Sequence, residues 1–440
     1  MQKILNWIEN KIKATSVSIT ATNLSKSDFW FYDLYNGRII NRKNSFFSIY
    51  GAEYIRNGTF VMEQPIIIQN EIGYLGIIYK LIDKMPYFYM QAKIEPGNVN
   101  VVQISPTIQA TKSNFTRAHG GKLPMYFEIF EQSKGSNVIY DQVQPEQTTR
   151  FYKKFNRNLL VNYDDVCELK DDDNFRWISY IDLLKLFKIN NLVNMDTRTV
   201  ISGFPIKLID KKMLNLYWYN SFFSNDSDAE LNNIFHSINN FIMFNNDRTI
   251  LKPLYELREW GLDDNGIFCK KLSNFDVKYF DICISGREVH SWSQPLFCSK
   301  GKALFGLIIK KYNDQYKILI SIRKFIGSHN YEFAPTIQKE FIEIENDNIN
   351  DNIVDRIFFK YLNSGKNIIS DIILSEEGGR FYQEQNRNVI IEIDDDFELP
   401  ECYYFVSLKT IKELIAKTNL VNIQLRNLIS IIDIFNYHED

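Results

Sequence analysis

At 440 residues, with 45% hydrophobic and 24% charged residues and no long low-complexity tract, the chain is long enough for two or three folded domains. A net charge of −3 supplies no basic field for a polyanion, which argues against DNA or RNA as the main partner. No stretch approaches the roughly 18 apolar residues of a membrane span, and the five scattered cysteines (Cys167, Cys269, Cys283, Cys298, Cys402) fit buried thiols of a reducing cytoplasm better than disulfides or zinc.

In chain order, the first fifteen residues set Ile4, Leu5, Trp7 and Ile8 among Asn6, Glu9, Asn10 and Lys11, which predicts an amphipathic helix and not a signal segment. Residues 75–81 and 87–94 alternate apolar and polar positions around a turn at 83–86, a β-hairpin pattern. A crowded polar stretch follows. It holds Glu95-Pro-Gly-Asn98, Gln103, Pro106-Thr-Ile-Gln109, Thr111, Ser113, Asn114, Phe115, Thr116, Arg117 and His119. Residues 179–188 carry Leu183, Leu184, Leu186 and Phe187 at helical spacing. Residues 207–252 form a connector, with a polar turn at 220–228 and then a helical pattern through Leu231, Ile234, Phe235, Ile238 and Ile242, either a linker element packed on both halves or an ordinary surface helix. A second hairpin is predicted over 304–312 and 316–323, and a second helix over 407–417.

These pairs belong to an internal repeat. Arg150-Phe-Tyr-Lys-Lys-Phe-Asn-Arg-Asn158 recurs as Arg380-Phe-Tyr-Gln-Glu-Gln-Asn-Arg-Asn388, an offset of 230. Gln64-Pro65 and Gln294-Pro295 keep 230, Pro106-Thr-Ile-Gln109 and Pro335-Thr-Ile-Gln338 keep 229, and Leu192-Val-Asn194 and Leu420-Val-Asn422 keep 228. Four collinear matches predict an α+β fold in tandem, with mixed sheets flanked by helices: a first repeat over 1–206, the connector 207–252, and a second repeat over 253–440.

No GxGxxG follows a strand, no P-loop, HExxH or GxSxG occurs, and no two histidines are close; neither a cofactor nor a metal is assigned. Thr, Ser and Asn donors beside one Arg suit the phosphates of a diphosphate sugar, or else satisfy their own backbone. The second copy replaces that loop with acidic and apolar residues at 339–346. In turn it carries Ser375-Glu-Glu-Gly-Gly-Arg-Phe381 where the first has Pro145-Glu-Gln-Thr-Thr-Arg-Phe151. Such complementary divergence fits one composite site, or two sites of which one reacts. Gly378 and Gly379 admit close approach of a backbone, and Glu376 and Glu377 offer a base; an exposed turn is the plain alternative. Trp292 either stacks on a nucleobase or fills a core. Asn194 and Asn422 stand as helix caps, with Arg198 and Arg426 reaching a phosphate or a carboxylate.

Taken together, Gln91-Ala-Lys-Ile-Glu-Pro-Gly-Asn98, the stretch from Pro106 to Arg117 with His119, Leu192-Val-Asn-Met-Asp-Thr-Arg-Thr-Val200, and Ser375-Glu-Glu-Gly-Gly-Arg-Phe-Tyr382 with Asn386 resemble the NDP-hexose 2,3-dehydratase family. The resemblance runs from about Phe29 to Ser430. It departs at Phe115, where the family usually has Tyr, and at Thr148-Thr149, where it tends to have Gly-Ser. It implies tandem Nudix-like α/β/α domains, a homodimer, and a dTDP-linked 4-keto-6-deoxyhexose as substrate. The glutamate box of Nudix hydrolases is missing, so elimination takes the place of hydrolysis. A ketone at C4 acidifies the C3 proton, and hydroxide leaves from C2; a base at C3, donors at the C4 oxygen and an acid at the C2 oxygen are required. The 3,4-diketo-2,6-dideoxy product calls for a downstream 3-ketoreductase. On this reading His119 or Glu95 is the base, and Thr111, Ser113, Asn114, Phe115, Thr116 and Arg117 contact the diphosphate or sugar. Trp292 stacks on the base, and Glu377, Gly378, Gly379 and Arg380 line the contribution of the second half, with Asn422, Gln424 and Arg426 as further contacts. The alternative is a nucleotide-sugar binding protein without catalysis.

Overall fold

The computed structural model describes residues 1–115, 123–163, 169, 172–285, 289–345 and 352–436. Their strands form two seven-stranded and two five-stranded sheets. The alternating segments 73–82 and 85–94 do form a hairpin, Gly73–Ile82 with Met85–Ile94, at the centre of the first large sheet. Phe155–Asn162 lies parallel to Gly73–Ile82, Val138–Pro145 closes that edge, and Phe175–Ser179 closes the other. Leu304–Tyr312, Gln315–Arg323, Gln385–Ile393, Ile368–Ser375 and Tyr403–Ser407 repeat the same order and directions in the second large sheet. The duplicated α+β unit with mixed sheets is present strand for strand.

Successive residues of a strand face opposite ways, and in the first large sheet both faces are covered. Leu75, Ile77, Tyr79, Phe88 and Met90 enter one core with the helix Tyr180–Phe187, whereas Ile78 and Tyr89 enter another with Phe127 and Phe130. A sheet containing a parallel pair is normally buried on both sides in this way.

The two small sheets each take an edge strand from the other half. Val17–Thr22, near the start of the first half, pairs antiparallel with Phe275–Ile284, from Val17 opposite Ile284 to Thr22 opposite Tyr279. Arg248–Lys252, at the corresponding place before the second copy, pairs with Ser48–Arg56. The helices ahead of these strands correspond too. Gln2–Lys13 buries Ile4, Trp7 and Ile8, while Ser227–Phe244 buries Ile234 and Ile238. Ile4 and Ile234, like Ile8 and Ile238, differ by 230 in number. The helical pattern read as connector therefore holds, in the second half, the place of the N-terminal helix in the first. Glu230 anchors it, accepting from the Ser407 N–H and Oγ at 2.8 Å and pairing with Lys317 at 2.9 Å. Beyond it, buried Asp247 accepts from Tyr54 of the first half at 2.8 Å and from Tyr331 of the second at 3.0 Å.

At the centre, Met195–Ser202 and Ile423–Ser430 pack against each other with every residue buried. Asn194 and Asn422 cap them, each side-chain oxygen accepting from the N–H three residues on, Thr197 at 2.8 Å and Leu425 at 2.9 Å. Among the described residues no helix is long and apolar enough to cross a membrane.

Candidate active site

Two loops leave the large sheets and return to them. In the first, the Glu146 N–H donates to the Lys154 carbonyl at 2.9 Å; in the second, the Glu376 N–H donates to Glu384 at 3.1 Å. Each loop is held by a glycine of the other half. The Gly97 N–H donates to the Gly378 carbonyl at 2.6 Å and the Gln383 N–H donates back to Gly97 at 2.8 Å. Gly327 makes the matching pair with Thr148 and Lys153, both at 2.8 Å. A Cβ at Gly97 would lie 1.6 Å from the Phe381 carbonyl oxygen, and one at Gly327 1.8 Å from that of Phe151, so only glycine admits this approach.

The Gly97 clasp carries Glu377-Gly-Gly-Arg380 of the second half into the Glu95 loop of the first; a Cβ on Gly378 would fall 2.9 Å from that of Glu95. Around it lies the first polar cluster. Lys93 Nζ sits 3.1 Å from Glu95 Oε1 and donates to the Gln109 carbonyl at 2.8 Å. Glu377 Oε1 accepts from the Gly379 N–H at 2.7 Å. Buried Arg380 donates to the Gly379 carbonyl at 2.9 Å and to Gln69 Oε1 at 3.0 Å, with its guanidinium 4.1 Å from the Phe46 ring centroid. Lys93 and Glu95 keep side-chain exposures of 16% and 12%, and Glu377 is half-buried, so solvent reaches all three.

Burial sets the electrostatics. It lifts the Glu377 carboxyl to about 7, against the pull of Arg380 and with help from the negative charges of Glu95 and Glu146. The Asp196 carboxyl, in the first turn of its helix, is driven well above its ordinary value by burial and by Glu146 and Glu377. Lys154 is pushed down to about 8 by burial, although Glu146 opposes this; it donates to the Phe155 carbonyl at 3.0 Å and to Asn156 Oδ1 at 2.9 Å. A carboxyl such as that of Glu377, lifted to about 7 beside a cation, is suited to proton transfer.

At the Gly327 clasp the same positions have different chemistry. Phe325 stands in the place of Glu95, Gln424 of Asp196, and Gln147 of Glu377. Glu384 replaces Lys154, and burial pushes its carboxyl up to about 8. Arg150 answers Arg380, 2.8 Å from Glu340 and 4.4 Å from the centroid of Phe275. Three acids of the first cluster are thus unionisable in the second. The Gly97 clasp is the candidate active site.

Of the residues singled out by sequence, Glu95, Glu377, Gly378, Gly379 and Arg380 meet at this clasp. Trp292 stands behind them: its Nε1–H donates to Gln294 Oε1 at 2.8 Å, and Gln294 Nε2 donates to the Gly379 carbonyl at 2.8 Å. Asn422, Gln424 and Arg426 have protein partners of their own, and Arg426 also bears on the charges of Glu146 and Asp196 in this cluster. Asn422 caps its helix and donates to Gln338 at 2.8 Å, Gln424 lies 3.4 Å from Glu376, and Arg426 donates to Thr199 Oγ1 and the Pro145 carbonyl. Phe115 stacks on Phe127 with centroids 5.1 Å apart. The Thr111 carbonyl accepts from the Asn114 N–H at 3.0 Å as the short helix Lys112–Phe115 begins, with Asn114 exposed. Thr116, Arg117, His119 and the side chain of Ser113 lie outside the described residues. Lys93, Glu146, Lys154 and Asp196 were not legible as site residues. The signal for them was the repeat itself, which shows Asp196 answered by Gln424 and Lys154 by Glu384.

A family model described as NDP-hexose 2,3-dehydratase matches residues 1–204 and 230–432. A dTDP-4-dehydro-6-deoxy-alpha-D-glucopyranose 2,3-dehydratase of Streptomyces violaceoruber is 30% identical over 444 residues, covering 96% of this chain and 95% of that protein. A protein of the same description from Saccharopolyspora spinosa is 31% identical over 445 residues, covering 96% of this chain and 89% of its own length. With both halves matched, the second from the very helix that opens it, the chain belongs to the NDP-hexose 2,3-dehydratase family.

Proposed function

We propose that this chain removes water across C2 and C3 of a dTDP-linked 4-keto-6-deoxyhexose, and that the reaction takes place at the Gly97 clasp. The observation that carries the site is the meeting there of Glu95 from one half with Glu377 from the other, which the second clasp replaces by Phe325 and Gln147. The C4 ketone makes the C3 proton acidic, and Glu95 or His119 takes it. Lys93 and neighbouring donors stabilise the charge that grows on the C4 oxygen. Loss of the C2 hydroxyl gives an enol that becomes the 3,4-diketo-2,6-dideoxy sugar, a reactive product suited to prompt reduction by a 3-ketoreductase. Thr111, Ser113, Asn114, Thr116 and Arg117 contact the diphosphate or the sugar, and Trp292 stacks on the nucleobase. The halves are Nudix-like, and the protein works as a cytoplasmic homodimer.

The test is incubation with dTDP-4-keto-6-deoxyglucose in heavy water, followed by mass spectrometry. Loss of one water with deuterium gained at C2 is the expected result. Sugar bound but unchanged would leave a binding protein.

A further inference from the structure

We propose that Glu377, contributed by the second half, is the acid that protonates the departing C2 hydroxyl. This rests on the dehydratase reading. The C3–H bond breaks to the base and its electron pair delocalises onto the C4 oxygen. As that pair forms the C2=C3 bond, the C2–O bond breaks and the Glu377 proton passes to the oxygen, which leaves as water. The enol then takes a proton at C2 and releases the one on its C3 oxygen, while the base loses a proton to solvent and Glu377 regains one. Nothing beyond solvent is consumed.

Geometry places Glu377 for this. Its carboxyl is fixed at one oxygen by the Gly379 N–H at 2.7 Å, and the loop that carries it is pinned to Gly97 by two backbone hydrogen bonds of 2.6 and 2.8 Å. A held, half-buried carboxyl beside the Glu95 loop can present its other oxygen to a ligand. The charged groups around it are Arg380, Glu95, Glu146 and Asp196. Burial and the two nearby glutamates favour the protonated form, which an acid needs at the start of the step. Glu377 and Glu95 meet from different halves, and neither half alone has the pair: Gln147 stands at the corresponding place in the first loop.

That glutamine also makes the test clean, because the fold already accepts Gln at the equivalent position of the same loop. Glu377→Gln should still exchange the C3 hydrogen of recovered dTDP-4-keto-6-deoxyglucose for deuterium at the wild-type rate, while water loss falls by roughly 10²–10⁴-fold. The 2-fluoro analogue of the substrate, whose fluoride leaves without a proton, should be turned over by Glu377→Gln within about tenfold of wild type. Glu377→Asp should recover part of the water loss, and serves as the second variant if the first does not fold. Water loss at the wild-type rate in Glu377→Gln overturns the proposal. So does joint loss of C3 exchange and of fluoride elimination, which would make Glu377 a base or a scaffold. A wild-type protein that neither exchanges C3 nor loses water would instead overturn the dehydratase reading.

Discussion

Arg198 and Arg426 are counterparts in the two central helices, and each reaches across to the end of a strand in the other half. Arg198 donates to the Ser375 carbonyl at 2.9 Å and to Val193 at 2.9 Å; Arg426 donates to the Pro145 carbonyl. Both are almost wholly buried, and burial lowers the Arg198 guanidinium to about 10. These strand ends launch the two glutamate loops, so the arginines set where each loop begins. Arg198→Met keeps the bulk but strips two carbonyls of their donors, and should cost about 3 kcal/mol, read as a lower urea midpoint at unchanged slope. An unchanged midpoint would remove the arginine from the interface that holds the halves together.

Gly97 and Gly327 make the same contact, yet only Gly97 carries Glu377 to the first cluster. Alanine at either should cost ~3 kcal/mol, because a backbone carbonyl and not a flexible side chain blocks the new Cβ. Gly58→Ala is the control: nothing lies within 4 Å of its Cβ, and its φ of +83° makes ~1 kcal/mol the expected cost. Assayed where all three remain folded, Gly97→Ala should lose most of its turnover and Gly327→Ala should not. Equal activity in the two alanine variants would count against the Gly97 clasp as the reacting one.

The exchanged strands bear on folding. Residues 1–222 alone lack the Arg248–Lys252 strand that closes their small sheet, and residues 227–440 alone lack Val17–Thr22. Each piece also exposes the side that the central helices bury against each other. Produced separately, the pieces should be insoluble or molten; co-expressed, they should purify together and melt as one unit. A sharply melting 227–440 fragment on its own would contradict this.

Much of this architecture was legible because repeats and alternation are local signals. The Arg-Phe-Tyr segment and the two hairpins were readable, since turn chemistry and period 2 lie within a few residues. The exchange of Val17–Thr22 and Arg248–Lys252 was not, because a strand's sequence records which face is buried and not which edge it joins. Ser227–Phe244 is legible in the sequence as a helix but not as the counterpart of Gln2–Lys13: that correspondence rests on Ile4 and Ile8 against Ile234 and Ile238, too few positions to register as a repeat. At the site, Glu377 and Glu95 drew notice through their glycines, whereas Lys154 and Asp196 sit in runs whose neighbours are structural. Their role depends on a fold that brings position 196 to position 377.

Glu332 gives the structure a measurable pH signature away from that site. Its carboxyl is buried, accepts from Thr148 Oγ1 at 3.2 Å across the halves, and has one oxygen without a partner. Burial raises it to about 7 from an ordinary 4.5, with Ser328, Thr148 and Arg426 opposing only in part. The folded state then holds a proton that the unfolded chain has already lost, so stability falls as pH rises from 4.5 through 7, by about 3 kcal/mol for this group. Glu332→Gln removes that penalty. Its urea midpoint should match wild type near pH 4.5, exceed it progressively above pH 5, and hold a constant advantage above pH 8. An advantage that is the same at every pH would mean that Glu332 does not titrate in the folded protein, and that the glutamine acts by packing alone.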